Sequence, residues 1–371
     1  MKNISITIIS CLLILNGCSQ KSIIEDIQIV QTIGYDYIDN DSIQGSAALS
    51  IYGQSEAQST VKNVSISTTA HSVNDMKNRL QETSSKPIRN GKLESVLYNK
   101  ELAEKGVYEF IDYYSRDSSI GRDIQLLIVD GSSESLLSTS YEIAPTVTFY
   151  LRDLIKQNLE QNLPTVNFHE FLYSYYGAGM DPFMPLIQQR EGEIDLVGLA
   201  LFQDDRLIDQ IGMDDLFIFK MLYESVQNGI YEFTIAEEGR ETSEQPNSNY
   251  IVTEAIGSNV NYTIKNAKHS PEIKIEVSLK GKINEAVSLK KKENSRRLID
   301  QVEVKMEKEL EEKGLLLLKK LQEQEIDPLR IGDRARAVTR GWNEQDWKEV
   351  YPTATFSLNI DVDITQTGIS K

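Results

Sequence analysis

The sequence predicts an α+β protein of more than one domain, with mixed and antiparallel sheets each packed with helices and a long C-terminal helix against a sheet. Three observations lead there. Strand-like and helix-like stretches alternate through the first half of the chain, which is the pattern of sheets covered by helices. Two runs near the C-terminus alternate apolar and polar residues strictly, and the longest helical pattern of the chain lies between them. At 371 residues the chain is too long for one hydrophobic core, so two or three domains are expected.

The first element is an export signal. Met1, Lys2 and Asn3 carry one positive charge, and Ile4 to Leu15 form an apolar run. That run is short of the roughly 20 residues a membrane-spanning helix needs, and its length suits a secretory signal. It ends in Leu15-Asn16-Gly17-Cys18, which resembles the lipobox of bacterial lipoproteins. A cysteine is required there because only a thiol forms the thioether to diacylglycerol, so Cys18 is the expected lipidation site. An ordinary signal peptide that contains a cysteine is the alternative, disfavoured because no site with small residues at −3 and −1 follows closely. Cleavage would remove residues 1–17, with Cys11 and Lys2, leaving 38 basic and 56 acidic residues, a net charge of −18 against −17 for the whole chain. Several acyl chains on one cysteine anchor firmly, since each buried CH2 contributes roughly 0.8 kcal/mol.

Residues 18–190 read as an N-terminal α/β domain. Strands are expected at Ile27–Val30 continuing to Ile33–Asp36, then at Ala47–Tyr52 across the Asp39-Asn40-Asp41 turn, and at Glu94–Tyr98. Helices are expected over 72–83 and over Glu101–Tyr114, the latter with Leu102, Val107, Phe110 and Ile111 on its apolar side. Ile124–Val129 is an almost unbroken apolar run, as in a strand buried on both faces. A break at Arg190-Glu191-Gly192-Glu193 opens a small middle domain, 191–260. It holds a hairpin, Leu196–Phe202 and Leu207-Ile208 about Gln203–Arg206, a helix over Asp214–Val226, and a polar excursion over 236–249.

Residues 261–371 read as sheet plus one long helix. Ile273, Ile275, Val277 and Leu279 form one alternating face, and Phe356, Leu358, Ile360, Val362 and Ile364 form another. Between them a helix runs from about Asn294 to Ile326, stopped by Asp327-Pro328 and open to a bend at Gly314. Its Leu298, Ile299, Val302, Met306, Leu310, Leu317 and Leu321 recur at helical spacing and should face the sheet.

Reactive clusters are scarce. His71, His169 and His269 are the only histidines, none at metal-ligand spacing with another, and no multi-cysteine site is possible with two cysteines, so no metal and no cofactor is expected. Gly177-Ala178-Gly179 runs into Met180-Asp181-Pro182 and lacks the helix-opening glycine of a dinucleotide site. The acidic balance argues against nucleic acid, which is held by a basic surface. Asp361 and Asp363 read as a solvated strand face before they read as metal ligands. Lys290-Lys291-Lys292 with Arg296-Arg297 is a charged helix start that could touch anionic lipid. Trp342, Trp347 and Tyr351 should pack under the last strand in preference to anchoring a partner. The segment Tyr173-Ser174-Tyr175-Tyr176-Gly177 either lines a pocket or closes the first domain.

The order of these pieces resembles the GerC family, the lipoprotein C subunits of the nutrient germinant receptors of spore-forming bacteria. The likeness runs from Cys18 and Ile33-Gly34-Tyr35-Asp36 through Gly91–Tyr98, Leu102–Val107 and Phe110–Asp117 to Gly198–Leu207, Asp327-Pro328, Trp342, Trp347 and the last strand. Members commonly carry histidine before the strand at 94–98, where this chain has Lys92 and Glu94. The resemblance implies three α/β domains in an elongated body, no catalysis, and assembly with a transmembrane A subunit and a transporter-like B subunit at the inner spore membrane. It transfers one functional residue, Cys18, which would join the chain to the lipid bilayer. Two rivals are a lipid-anchored solute-binding protein serving a transporter and a cell-envelope hydrolase with a degenerate site.

Overall fold

The computed structural model describes residues 27–55, 58–90, 92–235, 249–286 and 295–367. The signal segment, Cys18, Lys290–Lys292 and nearly all of the 236–249 excursion lie outside these residues.

In chain order the elements are β1 (Gln28–Asp39), β2 (Ser42–Ser55), β3 (Gln58–Ala70), α1 (Val73–Thr83), β4 (Ile88–Arg89), β5 (Ser95–Asn99), α2 (Lys100–Lys105), α3 (Tyr108–Arg116), β6 (Gln125–Val129), α4 (Ser133–Ser138), α5 (Val147–Leu159), α6 (Phe168–Tyr176), β7 (Phe183–Arg190), β8 (Glu193–Gln203), β9 (Arg206–Gly212) and α7 (Met213–Tyr223). Then follow β10 (Ile230–Ile235), β11 (Asn249–Lys265), β12 (Glu272–Ala286), α8 (Ser295–Glu323), α9 (Ile331–Val338), α10 (Glu344–Val350), a short 3-10 turn at Tyr351–Thr353 and β13 (Thr355–Thr367). The first sheet is mixed, in the order β3-β2-β1-β5-β6-β7-β8-β9, with β4 beside the start of β1 and with β1, β5, β6 and β7 parallel. The second sheet is β10-β11-β12-β13, antiparallel except for the parallel β12–β13 pair.

Strand periodicity explains how the first sheet is filled. Successive side chains point to opposite faces, so Val96, Tyr98, Leu126 and Ile128 join one core with α1, α2, α3 and α6. Leu97, Leu127 and Val129 join another with α4 and α5. The unbroken apolar run at 124–129 is thus a strand buried on both faces, as expected. The second core does not stop at the first sheet. It passes through α7, in which every residue from Leu216 to Tyr223 is buried, and continues into the second sheet and α8. A helix apolar on all sides belongs in an interior, and α7 lies between the two sheets. Its one cation, Lys220, donates from Nζ to the carbonyls of Leu159 (2.8 Å) and Gln161 (2.7 Å), satisfying the C-terminal end of α5.

The sequence places one helix over 101–114; the structure has two. Gly106 adopts φ +123, the amide of Val107 turns to donate to the Asp205 carbonyl (3.0 Å), and a Cβ on Gly106 would lie 2.5 Å from Asp205 Oδ2. Its apolar residues Leu102, Val107, Phe110 and Ile111 are nevertheless all buried. Residues 190–193 form the tight β7–β8 turn, with Glu191 and Gly192 both at positive φ, so the first sheet continues across this point. Position 260 lies inside β11.

In the C-terminal half, Ile273, Ile275, Val277 and Leu279 are buried and lie beside Phe356–Val362 of β13 in register. Val302, Met306, Leu310, Leu317 and Leu321 of α8 pack on this sheet, with Ile299 half-buried. Gly314 marks a close approach of the helix to the sheet, because a Cβ there would collide with Leu358. Besides packing on the sheet, α8 caps its edge. Glu311, Glu307 and Glu303 accept the backbone N–H groups of Ile360 (2.9 Å), Val362 (3.0 Å) and Ile364 (2.8 Å). An otherwise open strand edge is thereby satisfied by carboxylates spaced four residues apart.

Candidate functional site

The chain halves meet at a cleft of about 810 Å3. One wall comes from the first sheet and its helices: Tyr108 at the start of α3, Tyr175 and Tyr176 at the end of α6, the Gly179–Pro182 segment leading into β7, and the Gln203–Asp205 turn. The other wall is Glu325 and Asp327 after α8, with Glu344, Trp347 and Lys348 of α10 and then Tyr351. The Tyr-rich segment therefore does both things open to it. Tyr175 stacks on Phe171 (6.1 Å between centroids) under the cleft wall, while Tyr176 reaches the mouth and is exposed.

Two aspartates line the floor, Asp327 buried and Asp181 half-buried with its carboxyl turned inward. Asp181 accepts the backbone N–H of Asp327 (2.8 Å) at Oδ2, and Asp204 N–H at Oδ1 (3.4 Å). Its own N–H donates to the Asp327 carbonyl (3.0 Å). Asp327 in turn accepts Ile331 N–H (2.9 Å) and Gly332 N–H (2.6 Å), so it caps the first turn of α9 from four residues ahead of its first residue. Burial pushes Asp181 up to about 6 and Asp327 up to about 7, the backbone donors and the nearby Lys348 and Arg334 offsetting only part of the desolvation. Beside them two glycines cross. Gly179, at φ +71, would place a Cβ 2.8 Å from the Gly332 carbonyl carbon, and its own carbonyl accepts Asp333 N–H (3.0 Å). The Gly177-Ala178-Gly179 run thus serves a backbone crossing.

Arg330 fastens the outer side of this joint. It adopts φ +60, donates from Nη2 to Glu170 Oε2 (2.7 Å) and Ser174 Oγ (3.2 Å), and lies between the rings of Tyr173 (4.7 Å) and Tyr223 (4.9 Å). Glu170 and Ser174 belong to α6, so a C-terminal residue is held by a helix of the first sheet. The carboxylates at the floor are occupied by backbone N–H donors, with the Tyr351 ring on the same cleft wall. The arrangement joins two bodies around an open, aromatic and acidic mouth.

The other sequence candidates are dispersed. His71 bonds through Nδ1 to the Asp41 carbonyl (2.6 Å), His169 is exposed on α6, and His269 is exposed in the β11–β12 turn. Asp361 and Asp363 are exposed on the wet face of β13, and among the described residues no cluster of histidine and carboxylate could hold a metal ion. Arg296 and Arg297 are exposed in the first turn of α8. Trp347 packs on Tyr351 (5.7 Å), which meets Phe356 of β13 (6.4 Å), as expected for these two, whereas Trp342 lies against Gly179 at the crossing.

The fold and the joint define a two-part α+β protein whose halves share one core. A crystal structure of the GerBC protein has this fold, with a TM-score of 0.58 over 90% of this chain and 96% of that one at 16% identity. The model of the spore germination protein N-terminal domain matches residues 20–189, and that of the spore germination B3/GerAC-like C-terminal domain matches residues 197–368. The chain is 30% identical over 358 residues to the spore germination protein GerQC of Bacillus cereus, covering 96% of each. It is 22% identical over 389 residues to the putative spore germination protein YfkR of Bacillus subtilis (strain 168), covering 98% of this chain and 97% of that one. The chain belongs to the GerC family of spore germination proteins.

Proposed function

We propose that this protein is a lipid-anchored, non-catalytic subunit of a nutrient germinant receptor, held to the membrane through Cys18 and acting through contacts with transmembrane A and B subunits. The end-to-end match to both spore germination domain models carries this reading. Two further observations support it: the Leu15-Asn16-Gly17-Cys18 signal, and a joint whose carboxylates are spent on backbone donors. Spores lacking the protein should lose the loss of optical density triggered by at least one nutrient, and the wild-type gene should restore it. Normal germination of the null spores on every nutrient of a broad panel would refute the receptor role. Cys18→Ala should move the protein from the membrane to the soluble fraction; a variant still firmly in the membrane fraction would refute the anchor.

The cleft favours one second reading, a lipid-anchored solute-binding protein, because its volume is that of a small-molecule site. Calorimetric titration with amino acids and sugars separates the two. Tight, saturable binding of one nutrient to the isolated protein would transfer the ligand pocket to this chain.

A further inference from the structure

We propose that the amino-terminal end of the parallel strands of the first sheet, on the side of β1, β4 and β5, is the surface that lies on the lipid bilayer, with the cleft between the two halves at that same end of the sheet. This rests on the lipid-anchor reading of Cys18 and adds an orientation to it.

The argument starts from chain length. Cys18 stands nine residues before Ile27, the first described residue, and nine extended residues reach at most roughly 30 Å. β1 begins one residue later, at Gln28, where it pairs with Ile88 of β4. The anchor therefore leaves from the amino-terminal end of β1. The strand register carries that level across the sheet. Thr32 is opposite Ser95, Ser95 is opposite Gln125, and the Ile128–Leu186 pair sets Phe183 level with Gln125. Phe183 in turn faces Leu201. Asp181-Pro182 and the Gln203–Asp205 turn, which line the cleft, thus project from the same end as the anchor. Asp181-Pro182 lies three strand spacings from β1 and the turn after β8 lies four, on the order of 14 and 19 Å, distances shorter than the tether. The Asp39–Ser42 and Arg190–Glu193 turns project from the opposite end.

Charge agrees with this placement. The rim nearest the anchor is built from residues 81–94 and 115–125, which contain five basic and four acidic side chains, whereas the chain as a whole has 39 basic and 56 acidic. Lys86, Arg89, Lys92 and Arg122 are exposed there. An anionic bilayer repels the acidic body, the cleft mouth with Asp204, Asp205, Glu325 and Glu344 included, and tolerates the rim beside the anchor, which therefore lies closest to the lipid.

The test uses the full lipidated chain reconstituted in vesicles of phosphatidylcholine and phosphatidylglycerol. After signal removal the chain keeps no cysteine besides the acylated one, so Lys92→Cys and Asn40→Cys, both on the surface, can each be labelled alone with a fluorophore. A nitroxide-bearing lipid should quench the label at position 92 at least threefold more than the label at position 40. Equal quenching, or stronger quenching at position 40, in a chain that floats with the vesicles overturns the orientation and leaves the anchor standing. A chain that does not float overturns the anchor and the orientation with it.

Discussion

The glycine crossing at the joint allows the contribution of a backbone contact to be separated from that of backbone conformation. Gly179 and Gly192 both adopt positive φ, +71 and +85. A Cβ at Gly192 would meet nothing within 4 Å, whereas one at Gly179 would meet the Gly332 carbonyl carbon at 2.8 Å, its Cα at 2.9 Å and Trp342 at 3.0 Å. Gly192→Ala should therefore lose only the left-handed conformational term, about 1–2 kcal/mol. Gly179→Ala adds overpacking against a backbone that cannot rotate away, about 1–3 kcal/mol more. The entropy an alanine removes from the unfolded chain is common to both and cancels in the comparison. Equilibrium unfolding in guanidinium chloride should place the Gly179 variant about 1–3 kcal/mol below the Gly192 variant, and hydrogen exchange at the Asp333 amide, which donates to Gly179, should accelerate in the Gly179 variant alone. Two variants within about 0.5 kcal/mol of each other would refute the crossing as an energetic contact.

Because Asp181 and Asp327 are raised on folding, the folded protein holds more protons than the unfolded chain between about pH 4 and pH 7, so their contribution is present at low pH and lost as pH rises through about 6 and 7. For Asp181 this amounts to roughly 3 kcal/mol, and Asp181→Asn should flatten the urea-unfolding stability profile between about pH 4 and 6; a profile parallel to that of the wild type would refute the assignment. Arg330→Ala should cost about 2–4 kcal/mol by leaving Glu170 without its partner, and Arg330→Lys should recover only a minor part, since an ammonium cannot serve Glu170 while filling the space between Tyr173 and Tyr223; full recovery by lysine in thermal unfolding would show that charge alone matters. Replacing Glu303, Glu307 and Glu311 together by alanine should destabilise the C-terminal half by about 3 kcal/mol, at about 1 kcal/mol per bond, and raise self-association in light scattering, because the N–H row of β13 becomes available to another strand; an unchanged monomer of unchanged stability would count against it.

What could be read from the sequence followed burial. Ile124–Val129 was legible because both faces of β6 are buried, and the 273–279 and 356–364 runs because one face is wet and the other dry. β3 was not, since it is an edge strand whose residues from Val64 to Thr69 are all partly or fully exposed, leaving little apolar contrast. β11 was not, because the irregularity between Ala255 and Gly257 shifts the period and the strand beyond it carries mostly half-exposed residues. The split after Lys105 was hidden because Leu102, Val107, Phe110 and Ile111 keep a helical spacing across a glycine that breaks the helix for a contact about a hundred residues away. The joint was the least legible part. Asp327-Pro328 announces a helix stop, but nothing local to either aspartate reveals that Asp181, 146 residues earlier, accepts its amide.

The three glutamates along β13 also act as a length gauge. Four helical residues advance about 6.0 Å, whereas two residues of a strand advance about 6.6 Å. A helix laid along a strand with this repeat slips by roughly 0.6 Å at each rung, which flexible glutamate side chains absorb over three rungs and could not absorb over many. The mismatch limits how far a helix can imitate a neighbouring strand. It also makes the match intolerant of indels: one residue inserted between Glu303 and Glu311 would rotate every later carboxylate by about 100° and turn it away from the sheet. Length variation among proteins with this fold is therefore expected in segments such as 236–248, and not in the middle of α8.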